Sequence, residues 1–261
     1  MSAQIQIVPT PLGSHALTAA DYVVIDCETG DAPVSAIESA LEAWKPPKNW
    51  KPETVEAKRS ERAEAISNKA ALLDASPIIC LALKTDRMAI ILNGMDDTGP
   101  DVPGWLCLPC IDERGLLMAL RTILNNATSP GTVLCGHNVL GFDLPKIRNA
   151  YLRHRIALPM ALAIGDESPD VYDTMRHIRY YSMEVTDERF VSLDTVARVL
   201  GIPQPKQVIT GADCPRLHRD GRIAEILTYC CLDVTTTERA FLLMTGESVE
   251  LEQRIMTKER A

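Results

Sequence analysis

The run Tyr22-Val-Val-Ile-Asp26 constrains this chain most: an apolar stretch stops on a carboxylate, and a second one, Glu28, follows two residues later. A short apolar run bounded by the polar residues Glu28-Thr-Gly-Asp31 reads as a buried strand entering a turn. Residues i and i+2 of a strand point to the same side, so Asp26 and Glu28 leave the strand end together. Carboxylates side by side repel unless a proton or a cation intervenes. An oxygen-only ligand set of that kind suits Mg2+ or Mn2+.

Two more apolar runs, 77–83 and 88–92, flank the turn-like Lys84-Thr-Asp-Arg87 and predict a hairpin beside the first strand. Residues 132–135 predict a fourth strand. Asp112 is placed to cap a helix whose stripe is Leu116, Leu117, Leu120, Ile123 and Leu124. Further helices are predicted over 143–154, over 193–200 with Ser192 as cap and Gly201 and Pro203 as stop, and over 222–243. This order predicts an α/β fold, a mixed sheet with helices on its faces. Residues 31–76 interrupt it with the proline-rich Trp44-Lys-Pro-Pro-Lys-Asn-Trp50-Lys-Pro52 and a charged helical run over 52–73. Too few large apolar residues lie there for a separate core. The expectation is one domain, 1–261, with its core over about 20–243 and an insertion over about 31–76.

Two other acidic segments stand at predicted element ends. Asn138-Val-Leu-Gly-Phe-Asp143 joins a strand to a helix, and Tyr229-Cys-Cys-Leu-Asp233 puts a phenol and a carboxylate on one helix face. Each has a plain reading: a solvated turn for Asp26 and Glu28, a helix cap for Asp143, a packed tyrosine beside a solvated Asp233. Together, in this order, they point to one acidic site at the edge of the sheet.

The formal net charge of −8 argues against a nucleic-acid partner when taken alone. Locally the sign reverses: 45–69 holds seven Lys/Arg against four Glu, and 142–155 four against one Asp. A single strand threaded into a cleft needs only such a local path. Trp44 and Trp50, interleaved with Lys45, Lys48 and Lys51, either stack on single-stranded nucleic acid or anchor the insertion to the core. Arg148, Arg153 and Arg155 either meet phosphates or solvate a helix face. No apolar run approaches the ~18 residues of a membrane span, and the N-terminus does not read as a secretory signal. A cytoplasmic protein with no membrane partner is expected. The eight cysteines then read as reduced thiols; the lone pair Cys107 and Cys110 is weak grounds for zinc.

These motifs resemble the DEDD exonuclease superfamily, in its tyrosine-bearing branch with a ribonuclease H-like fold. Asp26-x-Glu28-Thr29, Gly136-His-Asn138-x-x-x-Phe142-Asp143 and Tyr229-x-x-x-Asp233 match its three motifs. The second is most similar to the proofreading domains of family-B DNA polymerases and their stand-alone relatives; Tyr172-Asp173-Thr174-Met175 and Ser192-Leu-Asp-Thr-Val-Ala197 resemble them too. His137 departs from the tyrosine expected before the Asn. The resemblance implies a five-stranded mixed sheet and 3′–5′ exonuclease activity with two Mg2+ or Mn2+ ions per site. It implies Asp26, Glu28, Asp143 and Asp233 as metal ligands, and Tyr229 as the group orienting the attacking water. Thr29, Gly30, Asn138 and Phe142 would line the nucleotide. The implied substrate is DNA, single-stranded or at a 3′ end, with nucleoside 5′-monophosphates released. RNA remains an alternative substrate, as does a non-catalytic nucleic-acid-binding module. Any proofreading would need a separate polymerase or a replication or repair partner.

Overall fold

The computed structural model describes residues 20–68, 74–163, 171–203 and 209–246. The segment read for a secretory signal, and the last turn of the helix expected to reach residue 73, lie outside the described residues. Strand β1 (Tyr22–Thr29) is followed by helices α1 (Val34–Glu42) and α2 (Pro52–Asn68). Strands β2 (Ile78–Lys84), β3 (Ala89–Asn93) and β4 (Leu106–Pro109) come next, then α3 (Glu113–Ala127), β5 (Val133–Gly136) and α4 (Asp143–Arg153). The chain continues through β6 (Val171–Asp173), α5 (Thr174–His177), α6 (Leu193–Leu200), α7 (Cys214–Arg219) and α8 (Ile223–Thr245).

The six strands form one sheet in the order β4-β3-β2-β1-β5-β6. β1 lies inside it, antiparallel to β2 and parallel to β5; β4 and β6 run parallel to β3 and β5. This is the mixed α/β architecture of a ribonuclease H-like fold, with six strands where five were expected. Local pattern places four strands, and the two it does not place, β4 and β6, are edge strands of four and three residues. Leu106-Cys-Leu-Pro109 is half-exposed, and β6 offers only Val171-Tyr-Asp173, so neither presents the apolar run by which a strand is recognised.

β1 is buried on both faces, and its alternation sorts the core. Val23, Ile25 and Cys27 pack with Leu116, Leu120 and Ile147 of α3 and α4. Tyr22 and Val24 face the other way, into a cluster with Leu217, Ile226, Leu227 and Val234 of α7 and α8. α8 is clipped to the sheet by its buried Glu238, whose carboxylate accepts from the Tyr22 hydroxyl at 3.0 Å and pairs with Lys84. A smaller cluster, including Met175, Ile178, Val196, Ala240 and Met244, joins α5 and α6 to the end of α8.

The helix ends follow the sequence. Asp112 Oδ1 accepts from the Gly115 N–H at 2.8 Å, and Ser192 Oγ from that of Thr195 at 3.2 Å. Gly201 leaves α6 in the left-handed region at φ 67°. Within 31–76, α1 and α2 pack chiefly on each other. No residue of α1 is buried, and the described side chains of α2 are likewise all outside the core. Among the described residues no helix is long and apolar enough to cross a membrane.

Candidate active site

The alternation that sends Tyr22 and Val24 toward α8 sends Asp26 and Glu28 the same way, because all four are even positions of one strand. β1 does not break at Asp26 as the apolar run suggested; it continues through Thr29, so both carboxylates are held by strand geometry rather than by a turn. α8 crosses this strand end and delivers Tyr229, Cys230 and Asp233. The Tyr229 hydroxyl is hydrogen-bonded to Asp233, one turn along the same helix face. Asp143 arrives from the first turn of α4, on the opposite side of the sheet. Its Oδ1 accepts the Cys27 backbone N–H at 3.0 Å, between Asp26 and Glu28 in sequence. Its side chain therefore caps no helix; Phe142 holds the N-cap position.

The four carboxyl groups act on one another. Asp26 is pushed well above the usual carboxylate range, first by burial and then by the charges of Asp143, Glu28 and Asp233. Burial raises Glu28 to about 8, opposed by a hydrogen bond from the Cys214 thiol and reinforced by Asp233 and Asp143. Asp143 rises to about 7, again by burial, with the Cys27 amide opposing. Burial, then the Asp233 and Glu28 charges, raise the Tyr229 phenol, which stays protonated. A cluster that holds protons against its own repulsion is one a divalent cation relieves.

The donor set fits such an ion. Among the described residues, one group of three or more metal-ligating atoms lies within 4.8 Å: those of Asp26, Glu28 and Cys230. Asp143 and Asp233 stand outside this tight trio, yet near enough for their charges to bear on Asp26. Carboxylate oxygens dominate, which favours hard cations over zinc. Cys230 was not anticipated. Its Sγ lies 3.3 Å from Asp26 Oδ2, and burial keeps it a protonated donor. Cys214 does the same for Glu28. Nothing in Tyr229-Cys-Cys-Leu-Asp233 marks that thiol, since cysteine in an apolar helix ordinarily packs as a small hydrophobe.

The loop from β5 to α4 is shaped for close approach. A Cβ on Gly136 would stand 2.6 Å from Val139 Cβ and 2.9 Å from the Ile25 carbonyl oxygen. One on Gly141 would stand 2.3 Å from Asn138 Oδ1. Asn138 itself is left-handed, φ 55°, and its N–H donates to Asp173 Oδ1 at 2.9 Å; Leu140 N–H donates to Asp173 Oδ2 at 3.2 Å. Asp173 thus fixes the loop leading to Asp143. His137 is structural, bridging Thr174 Oγ1 at 3.0 Å and the Val191 carbonyl at 2.9 Å, with burial lowering its pKa.

The remaining candidates vary in access. Thr29 and Gly30 are buried, and the Gly30 N–H is committed to the Pro77 carbonyl at 2.9 Å, leaving none for a nucleotide. Asn138 and Phe142 are half-buried, Phe142 packed against the α3–α4 core. Trp44 and Trp50 do not anchor to the sheet; they face each other with ring centroids 6.4 Å apart, and Arg62 stands 5.9 Å from the Trp44 ring. Arg148 donates to the Leu162 carbonyl and Arg153 pairs with Glu113, so both serve the fold. All eight cysteines are free thiols, and Cys107 and Cys110 donate to neighbouring carbonyls.

A family model described as a predicted 3′–5′ exonuclease related to the exonuclease domain of PolB matches residues 111–260. No curated protein matches the chain. The matched stretch contains Asp143, Tyr229 and Asp233; Asp26 and Glu28 precede it and meet them in space.

Proposed function

The chain belongs to the family of predicted 3′–5′ exonucleases related to the exonuclease domain of PolB, and on that premise we propose that it removes nucleotides from the 3′ end of single-stranded DNA. The products are nucleoside 5′-monophosphates. The observation that carries the reading is the convergence of Asp26, Glu28, Asp143 and Asp233 from β1, α4 and α8, with Tyr229 bonded to Asp233. Asp26, Glu28 and Asp233 would hold one Mg2+ or Mn2+ ion, and Asp143 would serve a second. Bound there, such ions would supply positive charge to the scissile phosphate and lower the pKa of a nearby water.

The chain's own groups do the positioning. The Tyr229 hydroxyl donates a hydrogen bond to Asp233, which leaves its oxygen lone pairs to accept from a water and aim it. Because its pKa is raised, Tyr229 keeps that proton and acts by orientation, not as a base. The Cys27 amide pins Asp143, and the Cys230 and Cys214 thiols each engage an oxygen of Asp26 and Glu28. The carboxylates are thereby fixed before substrate arrives, which removes reorganisation from the reaction. Asn138 and Phe142, on the tightly turned loop beside Asp143, border the terminal nucleotide.

The test is digestion of 5′-labelled single-stranded DNA, duplex DNA and RNA with Mg2+, Mn2+ or EDTA, with Asp26→Asn and Asp233→Asn as controls. Stepwise shortening from the 3′ end, fastest on single-stranded DNA and abolished by EDTA and by either variant, is expected. Faster attack on RNA would reassign the substrate, and full activity in either variant would remove the mechanism.

A further inference from the structure

Away from the carboxylates, beyond the edge strand β6, a hollow of about 650 Å3 is lined by Met175, Arg176, Arg179, Tyr180, Thr186 and Arg189. Three arginines on one concavity stand out in a chain of net charge −8. The Arg179 Nε is buried and has no hydrogen-bond acceptor among the described residues, although its Nη2 donates to the Arg189 carbonyl at 2.7 Å. A buried guanidinium N–H without an acceptor is unfavourable, and an anionic oxygen relieves it. Beside the arginines, Tyr180 is 85% and Phe190 62% exposed, two large aromatic faces that the core does not use.

The walls are held in place. Ile178 and Val185 are fully buried in the α5–α6 cluster, and the Tyr181 hydroxyl donates to the Met244 carbonyl at 2.7 Å. The acidic residues of the segment do not line the hollow: Glu184 pairs with Arg198 at 3.0 Å, and Asp187 and Glu188 are exposed. The position is also informative. Arg176 Nε lies 3.8 Å from Asp173 Oδ2, and Asp173 grips the Asn138 and Leu140 amides of the loop that ends at Asp143. Asp173 therefore links the rim of the hollow to the loop that carries Asn138 and Phe142.

We propose that this arginine-lined hollow binds the single strand upstream of the 3′ end being removed. The proposal rests on the exonuclease reading. Forked guanidinium donors match phosphodiester oxygens, and the exposed rings accept stacked bases whatever their sequence. A cavity of this size takes a nucleotide or two and leaves the 3′ terminus to the carboxylates. The cleft loop fixes the end of the strand, and the hollow fixes its path.

The test is fluorescence anisotropy in EDTA, with 5′-labelled oligothymidylates of three and twelve residues and the full chain. Arg189→Glu is the primary variant, since Arg189 joins the hydrogen bond from Arg179 through its backbone carbonyl and not through its side chain; Arg179→Gln is the second. Arg87→Gln, at the far end of the sheet in the β2–β3 turn, controls for removal of a surface charge. Circular dichroism checks that each is folded. Both hollow variants should bind the twelve-residue strand about tenfold more weakly, with a much smaller effect on the trinucleotide. The salt dependence of log K should flatten by about 0.7 for each phosphate that the variant no longer neutralises. Equal weakening at both lengths, unchanged binding at twelve residues, or a parent chain that binds neither strand overturns the proposal. The same samples with Mg2+ report the exonuclease reading separately, because a parent that binds through the arginines but never shortens the strand refutes only that reading.

Discussion

In EDTA this protein should lose stability as pH rises, and Glu28→Gln should blunt the loss. Glu28 holds its proton up to about 8 in the fold against an ordinary 4.5, and Asp143 up to about 7 against 3.8. A folded pKa above the unfolded one means the native state binds more protons, so its contribution is present at low pH and lost as pH climbs through the folded value. The window here is about pH 5 to 8. Each extra proton held by the fold gives a slope of about 1.4 kcal/mol per pH unit. For a chain of this size that is a fall of roughly 3–5 °C in Tm per pH unit. Glu28→Gln deletes one such proton and one negative charge beside Asp26. In EDTA at pH 8 the variant should exceed the parent by about 2–4 kcal/mol, a few units of pKa converted and discounted for relief by water. Excess Mg2+ should raise the parent most at high pH and the variant less, since binding displaces protons. Thermal melts by circular dichroism at pH 5.5, 6.5, 7.5 and 8.5, with EDTA or Mg2+, read all of this. A parent whose metal-free Tm rises across that range, or a variant with the parent's slope, would refute the electrostatic account of the site.

Other outcomes follow from single interactions. Glu238→Ala removes the carboxylate that pairs with Lys84 and accepts from the Tyr22 hydroxyl beneath α8, and should cost about 2–4 kcal/mol by urea titration, with Glu238→Gln milder. Gly136→Ala drives a methyl against Val139 and the Ile25 carbonyl and should cost about 1–3 kcal/mol, read by the same titration. Tyr229→Phe keeps the ring but loses the bond to Asp233; kcat on single-stranded DNA should fall about 10–100-fold with KM little changed, and an unaltered kcat would remove its orienting role. Trp44→Ala with Trp50→Ala should leave Tm within about 1 °C, because the two rings meet each other rather than the core; a large drop would show that they anchor the arm.

Much of the fold was legible in local pattern. The helix caps at Asp112 and Ser192 and the left-handed stop at Gly201 lie where short-range chemistry put them. So do β2, β3 and the stripe of α3, because apolar period and turn residues are local signals. The edge strands β4 and β6 were not legible. Three or four half-exposed residues carry no periodicity, and only pairing with β3 and β5 makes them strands. The extension of β1 through Glu28 and Thr29 was hidden in the same way, since its later residues are held by β2 rather than by their own propensity.

The acidic site divides along that line too. The spacings Asp26-x-Glu28 and Tyr229-x-x-x-Asp233 fix which groups share a strand side or a helix face, because each is set by a backbone repeat of two or 3.6 residues. That α8 lies over the even face of β1, and that Asp143 reaches the Cys27 amide from the opposite layer, depends on how helices cover the sheet. The thiols of Cys214 and Cys230 and the grip of Asp173 on the cleft loop have no local signature at all, for their partners are brought near only by packing. Sequence alone determined the chemistry available to this protein; the tertiary structure decided which groups meet, because contacts between distant segments are set by layer packing that no local repeat encodes.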